Sequence, residues 1–295
     1  MIRIVFLVCA VLALSGGCIR RQGVERVEWS VMGTVAAMQA KASGTGYGAT
    51  SPEDAVCRMS TDARGVFSGV ETLLNAHNYE SEITKLAPLP DEQVVESCVK
   101  AVAPCYRAAF ALAKASGGAF NPRWRGEKTL DLGAIAKGFA VDLAAERMDV
   151  PRGVAGLVDL GGNVKAVKGQ WRTGIKDPSG FGFAAYVDLE EGEALATSAL
   201  YFRGAHINDG RTGKPVENGV ASVTVLCDSA MWADGLSTTL FVLGPQEGRA
   251  FLDSHLADLM GGSKVEVLWI LSDGSRQTYP AATRFGESLF AADRL

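Results

Sequence analysis

The chain has 295 residues, 47% of them hydrophobic and 21% charged, enough apolar sequence for one large or two ordinary folded domains and too much for a disordered chain. Its 29 Lys and Arg stand against 33 Asp and Glu, a formal net charge of −4, which excludes a protein built to coat nucleic acid. The 34 glycines against 10 prolines predict many tight turns, with no collagen-like period, low-complexity tract or internal repeat.

Residues 1–17 form an address. Arg3 precedes an apolar run from Ile4 to Leu14, too short to span a bilayer, and Ser15, Gly16 and Gly17 lead into Cys18. This is the form of a bacterial lipoprotein signal, with Cys18 as the lipid-bearing first residue, although Ser15 stands where Leu is usual. An ordinary secretory signal cut nearby is the alternative. Either way the expectation is an exported protein, lipid-anchored at Cys18 on the periplasmic side of a membrane, with residues 18–295 as one domain. Of the remaining cysteines, Cys98 and Cys105 are seven apart, which an unbroken helix would hold roughly 10 Å apart and unbridged. Pro104 would allow pairing if it broke that helix. Without a CxxC, and with His77, His206 and His255 scattered, the pattern is not that of a zinc site.

In chain order, Val24 to Ala40 predicts one or two strands around a turn at Met32-Gly33-Thr34. Gly44-x-Gly46-x-x-Ala49 formally fits a dinucleotide fingerprint, but a glycine-rich hairpin loop explains it equally. Ser51-Pro52-Glu53-Asp54 predicts a helix start, with Ser51 as N-cap, and that helix runs towards Asn75. Asp91 to Ala115 predicts a second helical stretch, strained at Pro104, and Leu130 to Met148 a strand end turning into a helix. Short strands with Gly, Asn-Asp and Asp-Pro turns follow from Gly156 to Leu226. Ala230–Leu243 and Gln246–Met260 predict helices, then come a strand over Lys264–Ser272, a turn at Asp273-Gly274 and a last strand. Strands and helices mixed without regular alternation indicate an α+β class rather than a doubly wound parallel sheet.

Three stretches carry possible chemistry. In Leu130–Asp142, LDLGAIAKGFAVD, a helix begins just after Gly133, and Lys137 lies about one turn inside it. Helix N-termini attract phosphate and disfavour cations, so Lys137 is either an anion-binding group or a surface lysine on an amphipathic helix. In WADGLSTT, Asp234, Ser237 and Thr238 fall at i, i+3 and i+4 on one helix face. A carboxylate with hydroxyls is a hard-oxygen set suited to Mg²⁺, while hydroxyls bonding back to their own helix is the plain structural alternative. In HINDGRTG, a strand entering a turn, His206 is either a general base or an ordinary structural histidine.

Taken together and in order, these blocks resemble the ApbE family of bacterial FAD:protein FMN transferases. The resemblance runs from Met32 to about Gly274. It rests on MGT at Met32–Thr34, SEI at Ser81–Ile83, FNP at Phe120–Pro122 and DLGAIAKGFAVD at Asp131–Asp142. GGN at Gly161–Asn163, WRTGIKDP at Trp171–Pro178, ATS at Ala196–Ser198, HINDGRTGKP at His206–Pro215 and ADGLSTTLFVLG at Ala233–Gly244 complete it. The family implies a T-fold-like α+β architecture of antiparallel sheets packed with helices in a single bilobal domain. It also implies transfer of FMN from FAD to a threonine hydroxyl of an exported flavoprotein, with release of AMP. By motif, Asp234, Ser237, Thr238 and the Ala134 carbonyl would hold Mg²⁺. Met32, His77, Ala119, Phe120, Asn121, Asp131, Lys137 and Asn208 would contact FAD. His206 and Asp209 are the candidate bases for the acceptor's proton.

The chain also departs from the family pattern. Only Arg123 to Leu130 separate the FNP and DLG blocks, where relatives carry a longer helical insertion. His77 stands where many relatives have an aromatic residue, Asn208 where they have an apolar one, Gly210 where they have Pro, and Ala199 where they have Gly. These departures predict a wider or altered flavin site. They leave two other functions open: a Mg²⁺-dependent FAD pyrophosphatase, with water in place of threonine, and a non-catalytic FAD-binding lipoprotein.

Overall fold

The computed structural model describes residues 23–43, 50–200 and 207–287. The signal at residues 1–17, Cys18, the glycine-rich loop at residues 44–49 and His206 lie outside the described residues.

Among the described residues, eight strands form one antiparallel sheet in two four-stranded halves, here called meanders. The first comprises β1 (Val24–Val31), β2 (Thr34–Ala42), β3 (Val154–Leu160) and β4 (Asn163–Lys168). Strands β5 (Trp171–Lys176) and β6 (Phe183–Leu189) then leave for a small sheet. The second meander comprises β7 (Ala194–Ala199), β8 (Val220–Cys227), β9 (Glu266–Leu271) and β10 (Arg276–Tyr279). The meanders meet at β4 and β7 through the pairs Val164–Leu195 and Lys165–Ala194. The small sheet has the order β11-β6-β5, where β11 is Gly286–Glu287.

Alternation along the strands supplies two cores. Val158, Ala196, Val223, Val225, Val267 and Trp269 turn one face of the large sheet to the helices. Leu157, Leu195, Leu226, Leu268 and Ile270 turn the other face to Trp171, Ile175, Val187 and Leu189 of the small sheet. The result is three layers, helices over the large sheet over the small one, in the α+β class expected from the mixed order of elements.

Helix α1 (Pro52–Leu74) backs the first meander, and its start is as the sequence indicates: the Ser51 hydroxyl accepts from the Asp54 amide at 3.1 Å, with Pro52 inside the first turn. Two short helices follow, α2 (Glu82–Leu86) and α3 (Asp91–Ser97), then α4 (Ala103–Ala115). The expected single stretch from Asp91 to Ala115 is therefore two helices, broken over residues 98–102. Pro104 is not a point of strain, because it lies in the first turn of α4, where its missing N–H has no intrahelical role. Cys98, Cys105 and Cys227 are buried and free, and Cys57 is exposed and free. Leu130 and Asp131 are not a strand end. They are an extended connection whose Asp131 amide donates to the Pro122 carbonyl at 2.8 Å.

Helix α5 (Ala136–Arg147) packs against α1, β3, β4 and α6, and so lies over the seam between the meanders. Helix α6 (Ala230–Met260) backs β7 and β8 and is kinked where the sequence places its break, at Gly244 (φ 70°, ψ 177°) and Pro245. There Asn218 Nδ2 donates to the Phe241 and Val242 carbonyls at 2.8 and 3.1 Å, satisfying acceptors that the kink frees. The start of α6 is tied to α5 by Asp142. Its two oxygens accept from the Ala230 and Met231 amides, both at 2.9 Å, from Ser229 Oγ at 2.7 Å and from Lys165 Nζ at 2.8 Å.

Candidate functional site

The site begins where α5 meets the second turn of α6. Gly138 sits in the first turn of α5 and has no room for a side chain: a Cβ would lie 2.0 Å from the Ala230 carbonyl oxygen and 2.8 Å from Asp234 Cβ. This close approach lets the Gly138 amide donate to Asp234 Oδ2 at 3.0 Å. In a longer α5 that amide would donate to the carbonyl four residues back, at Ala134. Turned to Asp234 instead, it leaves the Ala134 carbonyl without that bond. Asp234 itself is buried, 6% exposed.

Helix α5 proper begins at Ala136, so Lys137 is the second helical residue rather than one turn inside. Its Nζ donates to the Gly133 carbonyl at 2.8 Å and lies 3.8 Å from Asp234 Oδ2. The Gly133 amide in turn donates to Asp131 Oδ1 at 2.9 Å, and Arg125 approaches the other Asp131 oxygen at 3.4 Å. Along α6, Ser237 Oγ donates to the Asp234 carbonyl at 2.9 Å. Ser198 of β7, on the helix-facing side with Ala194 and Ala196, lies 2.8 Å from Ser237 Oγ and 3.1 Å from Thr238 Oγ1. The helical spacing predicts Asp234, Ser237 and Thr238 on one face, and they are. Ser198 is the residue that spacing misses, because only strand register delivers it.

Asn121 ties the stretch before Arg123 to the turn at residues 207–216. Its Nδ2 donates to the Gly210 carbonyl at 3.2 Å, while the Gly210 amide donates to the Ala119 carbonyl at 3.1 Å. A Cβ on Gly210 would lie 2.4 Å from both Asn121 Cβ and the Gly118 carbonyl oxygen. Glycine at this position therefore closes two loops together rather than loosening the turn, contrary to the widening expected there. Restoring the family's residue with Gly210→Pro removes the donor and overfills the contact. It is expected to cost about 2–3 kcal/mol in denaturant unfolding, and an unchanged midpoint would contradict this packing.

The short connector is held by one side chain. Arg123 donates to the carbonyls of Ala87 and Leu89, each at 2.7 Å, to that of Glu127 at 2.5 Å and to Asp91 Oδ1 at 2.7 Å. It gathers the stretch before α3 and residues 127–129 around a single guanidinium.

The remaining candidates divide. Met32 is held at φ 51°, uncommon for a residue with a side chain, in a two-residue turn with Gly33 at φ 66°. Its amide donates to Glu71 Oε1 at 3.1 Å, so α1 pins the turn. The pairings of β2, β3, β4 and β7 place this turn, the Gly161-Gly162 turn and Ser198 towards the same end of the sheet. His77 is exposed in the turn leaving α1, with its amide on Asn75 Oδ1, and Tyr79 two residues on is 86% exposed. Ala119 and Phe120 are buried in the core, at 1% and 3%, so their side chains are structural and Asn121 is the polar group of that segment. Asn208 is half-buried and bridges to Pro215. Asp209 faces its own turn: Arg211 holds it through Nε at 2.9 and 3.1 Å and Nη2 at 2.8 Å. Those bonds keep its carboxyl below the usual carboxylate range.

For a divalent cation the donor set fits Mg²⁺. No group of three or more His, Cys, Asp or Glu gathers among the described residues, so no zinc-type cluster exists there. One buried carboxylate with hydroxyls and a carbonyl freed from its helix bond is the hard-oxygen pattern that leaves room for phosphate oxygens and water.

Residues 124–260 match the model of the ApbE family. A 145-residue stretch is 37% identical to an FAD:protein FMN transferase of Vibrio cholerae, covering 44% of this chain and 43% of that protein. A 131-residue stretch is 38% identical to the Haemophilus influenzae protein of the same name, covering 39% and 38%. The matched stretch thus spans about two fifths of the length of these curated relatives. In three dimensions the chain resembles the Vibrio cholerae flavin transferase ApbE, with TM-score 0.67 and 23% identity over 87% of this chain and 97% of that one. It also resembles the Thermotoga maritima ApbE protein, with TM-score 0.66 and 24% identity over 86% and 96%.

Proposed function

We propose that the chain is a member of the ApbE family and an FAD:protein FMN transferase that moves FMN from FAD to a threonine hydroxyl of an exported acceptor protein. The observation that carries this reading is the junction of Lys137, Asp234 and the α5 N-terminus, next to the Ser198, Ser237 and Thr238 hydroxyls. Asp234, Thr238, Ser237 and the Ala134 carbonyl would hold Mg²⁺, which when bound neutralises charge on a pyrophosphate.

The chain's own groups do the rest. Lys137, partly buried beside Asp234, places positive charge where a phosphate would sit, while the Ala136 and Gly138 amides of the same turn already donate to the Leu132 carbonyl and to Asp234. This resolves the oddity of a lysine in the first turn of a helix. Asp131 and Asn121 orient the nucleotide, and the Met32 turn, His77 and Asn208 border the flavin. The acceptor's threonine oxygen forms the new bond to the FMN phosphorus, the pyrophosphate P–O bond breaks and AMP leaves. His206 takes the threonine proton. Asp209, committed to Arg211, serves by shaping the turn at residues 207–216. Residues 1–17 act as a lipoprotein signal and Cys18 as the lipid anchor. Among the described residues no helix is long and apolar enough to cross a membrane.

Chromatography of the nucleotide products tests the reaction class. With FAD, Mg²⁺ and an acceptor bearing a family-type threonine motif, AMP is expected without an equal amount of free FMN. Equal AMP and free FMN, with or without acceptor, would make the protein a pyrophosphatase. FAD bound and unconverted with competent acceptors would make it a binding protein.

A further inference from the structure

Three hydroxyls and one carbonyl at the site form a chain whose proton order is fixed by elimination. The Asp234 carbonyl only accepts, so the Ser237 hydroxyl, 2.9 Å away, has its single proton directed there. Ser198 Oγ lies 2.8 Å from Ser237 Oγ, and with the Ser237 proton committed, Ser198 is the donor of that pair. Ser198 Oγ then accepts across its 3.1 Å contact with Thr238 Oγ1, and Thr238 is the donor. Protons run in one direction, from Thr238 to Ser198 to Ser237 to the Asp234 carbonyl.

We propose that Ser198 is a positioning residue that draws the Thr238 proton towards β7, so that Thr238 offers lone pairs and no proton to a divalent cation. This rests on the Mg²⁺ site proposed above. A neutral hydroxyl is a cation ligand only when its proton points elsewhere, and a helix offers threonine an easy alternative. Thr239, one residue on, donates to the Gly235 carbonyl one turn back at 2.7 Å. Without Ser198, Thr238 has the same option towards the Asp234 carbonyl, which would turn its lone pairs away from their present direction. Ser237 is fully buried, so solvent does not take over its place in the chain. Ser198 is fixed by the β7–β8 ladder through the Ser198–Val223 pairing.

Mn²⁺ titration, followed by the paramagnetic resonance signal of the free ion, tests this on the purified chain with FAD and no acceptor. Ser198→Ala is expected to weaken Mn²⁺ binding about fivefold to tenfold, the scale of one hydrogen bond at a charged site. Ser198→Thr, which keeps the hydroxyl, is expected to restore it. Wild-type Mn²⁺ affinity in Ser198→Ala, with only a lowered unfolding temperature, would overturn the proposal and leave Ser198 a packing residue. Asp234→Ala separates the two levels: equal Mn²⁺ binding there and in the wild type would overturn the metal site and the relay together. If Ser198→Ala does not fold, Ser198→Cys, whose thiol is only a weak hydrogen-bond acceptor, weakens the chain at the same place. Weakened Mn²⁺ binding in it supports the relay, and unchanged binding overturns it.

Discussion

Asp234→Ala is expected to lower Mg²⁺-dependent turnover of FAD by about a hundredfold or more, since one carboxylate carries the negative charge of the proposed metal site. Asp234 also accepts the Gly138 amide at 3.0 Å and lies 3.8 Å from Lys137 Nζ. Alanine therefore leaves a buried amide without its acceptor, and about 1–3 kcal/mol of stability should go with the activity. Asp234→Asn separates the two effects. The amide oxygen still accepts from Gly138 while the charge is gone, so stability should stay close to wild type and turnover should fall nearly as far as with alanine. Steady-state rates with AMP detection, read beside denaturant midpoints, make the comparison. Turnover by Asp234→Asn within about threefold of wild type would remove Asp234 from the metal site.

The second large effect is on the frame itself. Gly138→Ala is expected to destabilise the protein by about 3 kcal/mol or more, because the added methyl meets a backbone carbonyl rather than a flexible side chain. The methyl's 2.0 Å separation from the Ala230 oxygen can be relieved only by moving α5 off α6. That movement also draws the Gly138 amide away from Asp234. Gly69, on the exposed side of α1, is the matched contrast: a Cβ there meets nothing within 4 Å. Gly69→Ala should raise stability by about 0.5–1 kcal/mol through helix propensity alone. Similar denaturant midpoints for the two variants would contradict the close crossing of α5 and α6.

Much of this frame is legible from local chemistry. Ser51 with Pro52 marks the start of α1, and Gly244-Pro245 marks the kink in α6, because caps and breaks depend on a few neighbouring residues. The spacing of Asp234, Ser237 and Thr238 is likewise a local property of one helix. The missed features are those settled by distant chain. Pro104 reads as a fault in a long helix, yet the break falls just before it and leaves it in a first turn that tolerates it. Gly210 reads as slack in a turn, but its lack of a side chain is what admits Asn121 and the Gly118 carbonyl. Ser198, 39 positions from Ser237, belongs to the site only because β7 pairs beside β8 under α6. Arg123 shows no motif, and its importance emerges only when the carbonyls of residues 87, 89 and 127 converge on it.

These separations explain why the resemblance names the site residues without describing how they are held. Lys137 and Asp234 are 97 positions apart in the chain, and what joins them is the missing side chain of Gly138. The short connector makes the same point. Its length suggests an opened flavin site, while the described residues show Arg123 drawing the surrounding backbone together.

The most direct test of the proposed transferase is the intact mass of an acceptor protein incubated with this chain, FAD and Mg²⁺. The expected product is an acceptor heavier by one FMN attached through phosphate, absent when the acceptor threonine is replaced by alanine and absent with Asp234→Ala. An acceptor of unchanged mass, in a reaction that has converted FAD to AMP and free FMN, would contradict it.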